Sequence, residues 1–215
     1  MPAVTSNTQI AQLALDLLGD SKRIASLDED SATARICSRW YTPTLHGLLE
    51  RAPWTFARTE KTLSAVSDVT SVRYPYLYTW PSDCVTPLWI WTGLRDGLSK
   101  NLVIPFGPVA NPTGAKPYIG TEISPAVLIY TYLNLTTPQY PGAFVMAFAN
   151  LLAARLTGPL TAQPTRMAFF EQEAERYLQE ALAVNGESFD DFQQQDGFTA
   201  SRWGPRSWPD FFRGW

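Results

Sequence analysis

The chain has 215 residues, 45% of them hydrophobic and only 17% charged, with a formal net charge of −3. That length buries a core without metal or disulfide staples. The charge excludes a DNA-wrapping role, because affinity for nucleic acid comes mainly from Lys and Arg neutralising phosphates, although a mildly acidic chain suits a passage through which DNA slides without sticking.

Met1 to Thr8 has neither a basic nor an apolar leader pattern, so no signal peptide is expected. No apolar run approaches the roughly 20 residues that span a bilayer. The spacing predicts a first helix over Asn7 to Leu18. Ser6 and Gln9 stand at capping-box spacing, Ile10, Leu13, Ala14 and Leu17 line one face, and Gly19 stops it. A second helix is predicted from about Asp30 to Arg51, where Asp28, Glu29 and Asp30 oppose the positive end of the helix dipole. Ile36, Cys37, Trp40, Tyr41, Leu45, Leu48 and Leu49 form its apolar side, Pro43 should kink or split it, and Pro53 ends it.

From Trp54 to Thr137 the period changes. Tyr76, Tyr78 and Trp80 alternate with Leu77 and Thr79, a strand pattern. Short strands are expected at Leu88 to Trp91, Leu102 to Phe106 and Ala126 to Leu133, with a turn at Gly93 to Gly97 and a loop at Asn111 to Pro117. Frequent prolines argue for short strands and edges rather than a wide sheet. Helices return after Pro141. Phe144, Phe148, Leu151, Leu152 and Arg155 share one face of a third helix that Gly158 and Pro159 should end. A fourth, over about Thr165 to Val184, buries Met167, Phe170, Ala174, Tyr177, Leu178 and Ala181, turns Glu171, Glu173, Glu175 and Glu180 to water, and closes at Asn185-Gly186.

The last stretch fits neither a helical stripe nor a strand. Phe189, Phe192, Phe198, Trp203, Trp208, Phe211, Phe212 and Trp215 are broken by Gly197, Gly204, Pro205, Pro209 and Gly214. Disordered tails are poor in aromatics, and burying one such ring contributes roughly 2–3 kcal/mol. The segment therefore reads as an arm laid into another subunit, or folded back over its own domain. Arg202, Arg206 and Arg213 favour the partner, since Arg and Trp are enriched where interfaces concentrate their energy. The expected fold class is α+β: a four-helix bundle (residues 1–53 and 138–187), a β-rich insert between the helix pairs (54–137), and an extended C-terminal arm (188–215).

Chemistry is sparse. His46 is the single histidine and reads as structural or exposed. Cys37 and Cys84 form no CxxC pair and read as buried thiols. No metal set, nucleophile elbow, phosphate loop or cofactor motif is present, so no catalytic residue, metal or cofactor is expected. Paired carboxylates, Asp28, Glu29 and Asp30 or Asp190 and Asp191, leave glycoside hydrolysis as the enzymatic alternative. The first set reads more simply as a helix cap and the second as the base of the arm. Asp83, after Trp80-Pro81-Ser82, reads as an Asx turn aiming the chain into the next strand.

Three segments, taken together, resemble one family. They are Cys37-Ser38-Arg39-Trp40-Tyr41 continuing to Pro53-Trp54-Thr55-Phe56-Ala57; Tyr76-Leu77-Tyr78-Thr79-Trp80-Pro81-Ser82-Asp83-Cys84; and Ala143-Phe144 through Arg155 to Gly158-Pro159-Leu160-Thr161. Their order and spacing over roughly Ile10 to Gly186 resemble the tail tubular protein A family of short-tailed bacteriophages, the head-to-tail adaptors. The resemblance implies a structural virion protein of the phage neck, assembled in the host cytoplasm. It would form a ring, expected to be twelvefold, beneath the portal protein. That ring would join the portal to the tail nozzle (a tail tubular protein B-like partner) and let DNA leave through its centre, with no membrane partner. It also implies a portal-binding arm, here Phe189, Phe192, Phe198, Arg202, Trp203, Arg206, Trp208, Phe211, Phe212 and Trp215. Trp54 and Phe56, with Tyr76, Tyr78 and Asp83, are the expected structural joint. A tail-associated glycan hydrolase and a non-viral oligomeric scaffold are the other readings.

Overall fold

The computed structural model describes residues 6–19, 23–91, 104–114, 116–133, 140–161 and 164–196, with backbone alone described for Pro164 and residues 187–196. The chain order is α1 (Asn7–Leu18), α2 (Ala32–Leu49), a 3-10 turn (Thr55–Ala57), β1 (Arg58–Thr62), β2 (Ala65–Val66), β3 (Tyr76–Thr79), β4 (Cys84–Trp91), β5 (Phe106–Val109), β6 (Tyr118–Thr121), β7 (Val127–Tyr132), α3 (Gly142–Thr161) and α4 (Pro164–Asp196). Among the described residues the fold is therefore mixed α+β, with four helices and two antiparallel sheets ordered β1-β7-β4 and β2-β3-β6-β5.

Two compact units divide the chain. One draws on residues up to Thr59, Ser82–Leu88 and Tyr130–Val184, the other on Glu60–Pro81, Trp89–Ile129 and the chain from Asn185. The divisions fall inside β1, β4, β7 and α4.

In the helical unit, α1 keeps its predicted bounds. Ser6 Oγ accepts the Gln9 N–H at 3.2 Å, and Gly19 takes the left-handed conformation (φ 72°) that ends the helix. Its buried face is Ile10, Ala11, Ala14, Leu15 and Leu18, one residue round from the predicted stripe. Apolar residues encircle most of α1, so several stripes were available and packing chose among them. The cap of α2 is Ser31, whose Oγ accepts the Ala34 N–H at 3.1 Å. The helix starts at Ala32 and its first turn holds no acidic residue.

Two prolines expected to break helices do not end them. Pro43 lies inside α2 and Pro159 inside α3. A proline frees the carbonyl four residues earlier. Here those residues are Arg39 and Arg155, both exposed like the prolines themselves, so water can take the freed acceptors. Near the end of α3, Thr157 and Thr161 hydroxyls donate to the Ala153 and Thr157 carbonyls, each at 2.8 Å.

α3 packs against both α1 and α2, so the extensive helix contacts join elements distant in sequence rather than chain neighbours. Its length and mean hydropathy (1.4) match a membrane span, yet 61% of that window is buried in the protein. It is the central helix of a core that includes Leu15, Leu45, Leu49, Phe144, Phe148, Leu152 and Phe170. α4 runs on through Asn185-Gly186 to Asp196. Asn185 is 8% exposed, and its burial overrides the local turn preference.

In the second unit, β3 pairs with β6 and β6 with β5, placing Leu77, Gly120 and Gly107 in one row. The Tyr74 ring lies over both glycines. A Cβ at Gly120 would stand 2.7 Å from Tyr74 Cγ and 3.0 Å from Tyr74 Cβ, too close to the root of the side chain for rotation to relieve. We expect Gly120→Ala to destabilise this unit by about 1–3 kcal/mol through overpacking. Gly158→Ala, where a Cβ meets nothing within 4 Å, serves as a control that should leave the thermal melt unchanged or raise it. The expected strand at Leu102 to Phe106 is shifted, for β5 begins at Phe106 and Ile104 is a buried residue before it. The Leu88 to Trp91 strand is longer, starting at Cys84. β1, β2 and β6 had no predicted counterpart. The expected turn at Gly93 to Gly97 lies outside the described residues.

Candidate functional site

The last carbonyls of α2 have no partner inside the helix. Trp54 turns back to supply one, its Nε1–H donating to the Leu48 carbonyl at 2.9 Å, and the residue is fully buried. Its ring meets Phe56 at 5.5 Å and Phe144, in the first turn of α3, edge-on at 5.0 Å. Phe56 also meets Phe144 (4.9 Å) and Tyr140 (5.5 Å), and Tyr140 meets Phe144 (5.1 Å). Tilted and edge-on pairs at these separations each contribute about 0.5–1.5 kcal/mol beyond their buried area. Four rings thus join the exit of α2 to the entry of α3. Burial, then the nearby Tyr132, raises the Tyr140 hydroxyl pKa well above its ordinary value, so the cluster stays uncharged.

Asp83 opens β4. Its two carboxylate oxygens accept the Tyr130 hydroxyl at 3.2 and 3.1 Å, and its carbonyl accepts the Leu133 N–H at 2.8 Å. Burial first, and then the Asp83 charge, push the Tyr130 pKa up, which keeps the hydroxyl a donor. These bonds carry Asp83 beyond a local turn, pinning the start of β4 to β7. Cys84 beside it is buried, as is Cys37, and neither is in a disulfide. Tyr78 and Tyr76 belong to the second unit. Tyr78 is buried and donates its hydroxyl to the Ile123 carbonyl at 3.0 Å, while Tyr76 is 43% exposed. The expected joint therefore divides: Trp54 and Phe56 act together, Asp83 acts with Tyr130 in the same unit, and Tyr76 and Tyr78 serve the other.

The last helix reaches further than expected. Phe189 and Phe192, with Asp190 and Asp191, are residues of α4, which corrects the expectation of an extended chain from Ser188. Phe198, Arg202, Trp203, Arg206, Trp208, Phe211, Phe212 and Trp215, with Arg213, lie outside the described residues.

Two adjoining surface hollows of about 390 and 250 Å³ share Leu27, Asp28 and Ser38, and the larger includes Glu29, Asp30, Arg35 and Arg39. Glu29 accepts the Ser31 hydroxyl at 2.6 Å and the Ala25 N–H at 2.7 Å. These bonds hold its pKa below the usual carboxylate value, whereas a general acid in glycoside hydrolysis needs a raised one. His46 Nδ1 lies 3.2 Å from Glu50 Oε1 on an exposed stretch of α2. No group of three His, Cys, Asp or Glu placed to hold a metal ion occurs among the described residues.

Sequence reasoning missed Tyr130, Tyr140 and Arg166. The Arg166 guanidinium donates to the Leu18 and Leu17 carbonyls at 3.0 and 3.3 Å, satisfying the end of α1 from α4. A partner 148 residues away leaves no local pattern. Tyr140, by contrast, sits one turn before Phe144 and was open to discovery as part of the same aromatic run.

Fold and site together define a mixed α+β protein whose helical unit is closed by an aromatic joint. Comparison with protein-family models and with curated proteins found no match.

Proposed function

We propose that the chain is a head-to-tail adaptor of a short-tailed bacteriophage. In this reading the helices form a four-helix bundle with the β segment as an insert. Copies assemble into a ring, twelvefold by the resemblance, between the portal protein and the tail nozzle, and DNA passes through its centre. The protein resides in the virion neck and works mechanically, with no catalysis and no cofactor. Repeating one contact around a ring turns modest affinity per subunit into durable docking.

One observation carries the reading. The Pro53-Trp54-Thr55-Phe56-Ala57 box and the Ala143-Phe144 start of α3, which lie far apart in the chain and both belong to the resemblance, meet ring on ring in one core. An aromatic-rich C-terminus and sparse charge add support, because such surface is suited to burial against another protein. The test is to mix the purified chain with the portal of the same virion and weigh the complex by native mass spectrometry. We expect a portal carrying a full ring of adaptor copies. Absence of any complex, with reducing sugar released from host envelope glycan, would replace this reading with the hydrolase.

A further inference from the structure

Two exposed faces of the helical unit each carry a pair of like charges one turn apart. On α2 these are Arg35 and Arg39, and on α4 they are Glu171 and Glu175. Like charges at that spacing destabilise their own helix. Each pair has partial relief from its own surroundings: Asp30 lies 3.3 Å from Arg35, and Asp28 and Glu29 line the same hollow as both arginines, while Arg51 lies 3.9 Å from Glu175, which also accepts the Gln179 amide at 2.7 Å. Both ion pairs are solvent-exposed, the setting in which such pairs contribute little. Arg39 and Glu171 have no ion-pair or hydrogen-bond partner among the described residues. Three of the other described charges of α4 are engaged, Glu173, Arg176 and Arg166. Glu173 holds Arg176 at 2.7 Å, Glu180 stands one turn beyond that arginine, and Arg166 grips the end of α1.

Resting on the ring reading, we propose that these two faces are the halves of one contact between neighbouring copies, with Arg35 and Arg39 of one copy set against Glu171 and Glu175 of the next. Residues four apart on a helix are separated by about 6 Å along the axis, so the two arginines match the two glutamates in spacing. The helices are set antiparallel, so that the two unpaired groups, Arg39 of one copy and Glu171 of the next, face each other and Arg35 faces Glu175. Made head-to-tail, the contact leaves one face of each kind open for a further copy, and such contacts build a ring where the rotation closes. Charge pairing of this sort sets register and speeds encounter, and salt screens it.

Sedimentation velocity of the full chain alone tests the contact, comparing the native protein, Arg39→Glu, Glu171→Arg and an equimolar mixture of the two variants. Circular dichroism first confirms that each variant is folded. The native chain is expected to self-associate at low salt and to lose this as salt is raised. Each variant alone should associate at least about tenfold more weakly. The mixture should recover, because each native face finds its native counterpart and the two reversed charges find each other. A native chain that stays monomeric, variants that associate as it does, or a mixture that fails to recover each overturn the contact. Portal binding is measured separately, so this contact can fall while the adaptor reading stands.

Discussion

Trp54→Ala will destabilise the helical unit by about 3–5 kcal/mol, the range for removing a large buried aromatic. The side chain is fully buried and meets Phe56 and Phe144. Deleting it leaves a cavity where α2 ends and α3 begins, and takes from the Leu48 carbonyl one of its two donors, the other being the Arg51 N–H. The indole N–H can be separated from the packing. Trp54→Phe keeps a ring but loses that bond, and because the Leu48 carbonyl still accepts the Arg51 N–H at 3.2 Å, the cost is that of one hydrogen bond, about 0.5–1.5 kcal/mol. Urea unfolding followed by far-UV circular dichroism measures both. A loss below about 1 kcal/mol for the alanine variant would mean that the four rings do not hold the two helices together.

Ending the chain after Asp196 will leave the helical unit folded and abolish docking to the portal. Residues 197–215 include Arg202, Trp203, Arg206 and Trp208, the residue types that concentrate interface energy. The cut belongs after Asp196 rather than before Ser188, because α4 continues to that residue. Co-sedimentation with the portal, alongside a thermal melt of the truncated chain, reads out both halves. Full docking by a folded truncation would remove the arm from the interface.

Local signals in the sequence were read well and distant ones were not. Ser6 and Gly19 bound α1 as expected, because a cap and a left-handed glycine act within one turn of where they stand. Trp54 and Phe56 were expected to fix the joint between the second helix and the β segment, whereas their rings meet Phe144 at the start of α3. Their partner Phe144 was placed on a helix, but its contact with Trp54 depends on how α2 and α3 pack. Pro159 does not end α3 and Pro43 does not split α2 for one reason: the carbonyl each proline frees can find a donor in water, and the exposure of Arg39 and Arg155 that allows this is a property of the fold. The Asn185-Gly186 pair misled for the opposite reason, since burial of Asn185 outweighs its turn preference. The short strands β2 and β6 carry too few residues for alternation to show, and Gly120 in β6 reads as a breaker until Tyr74 is seen covering it.

The length of α4 has a mechanical consequence. At about 1.5 Å per residue, its 33 residues make a rod of roughly 50 Å with the C-terminal segment attached at one end and Arg166 near the other. A pull on the C-terminal end of the helix would be resisted first where Ala181, Leu178, Ala174 and Phe170 are buried, and only then where the Arg166 guanidinium holds the Leu17 and Leu18 carbonyls. Load would thus peel α4 away one turn after another, and the join between the first and last helices would be the last to part.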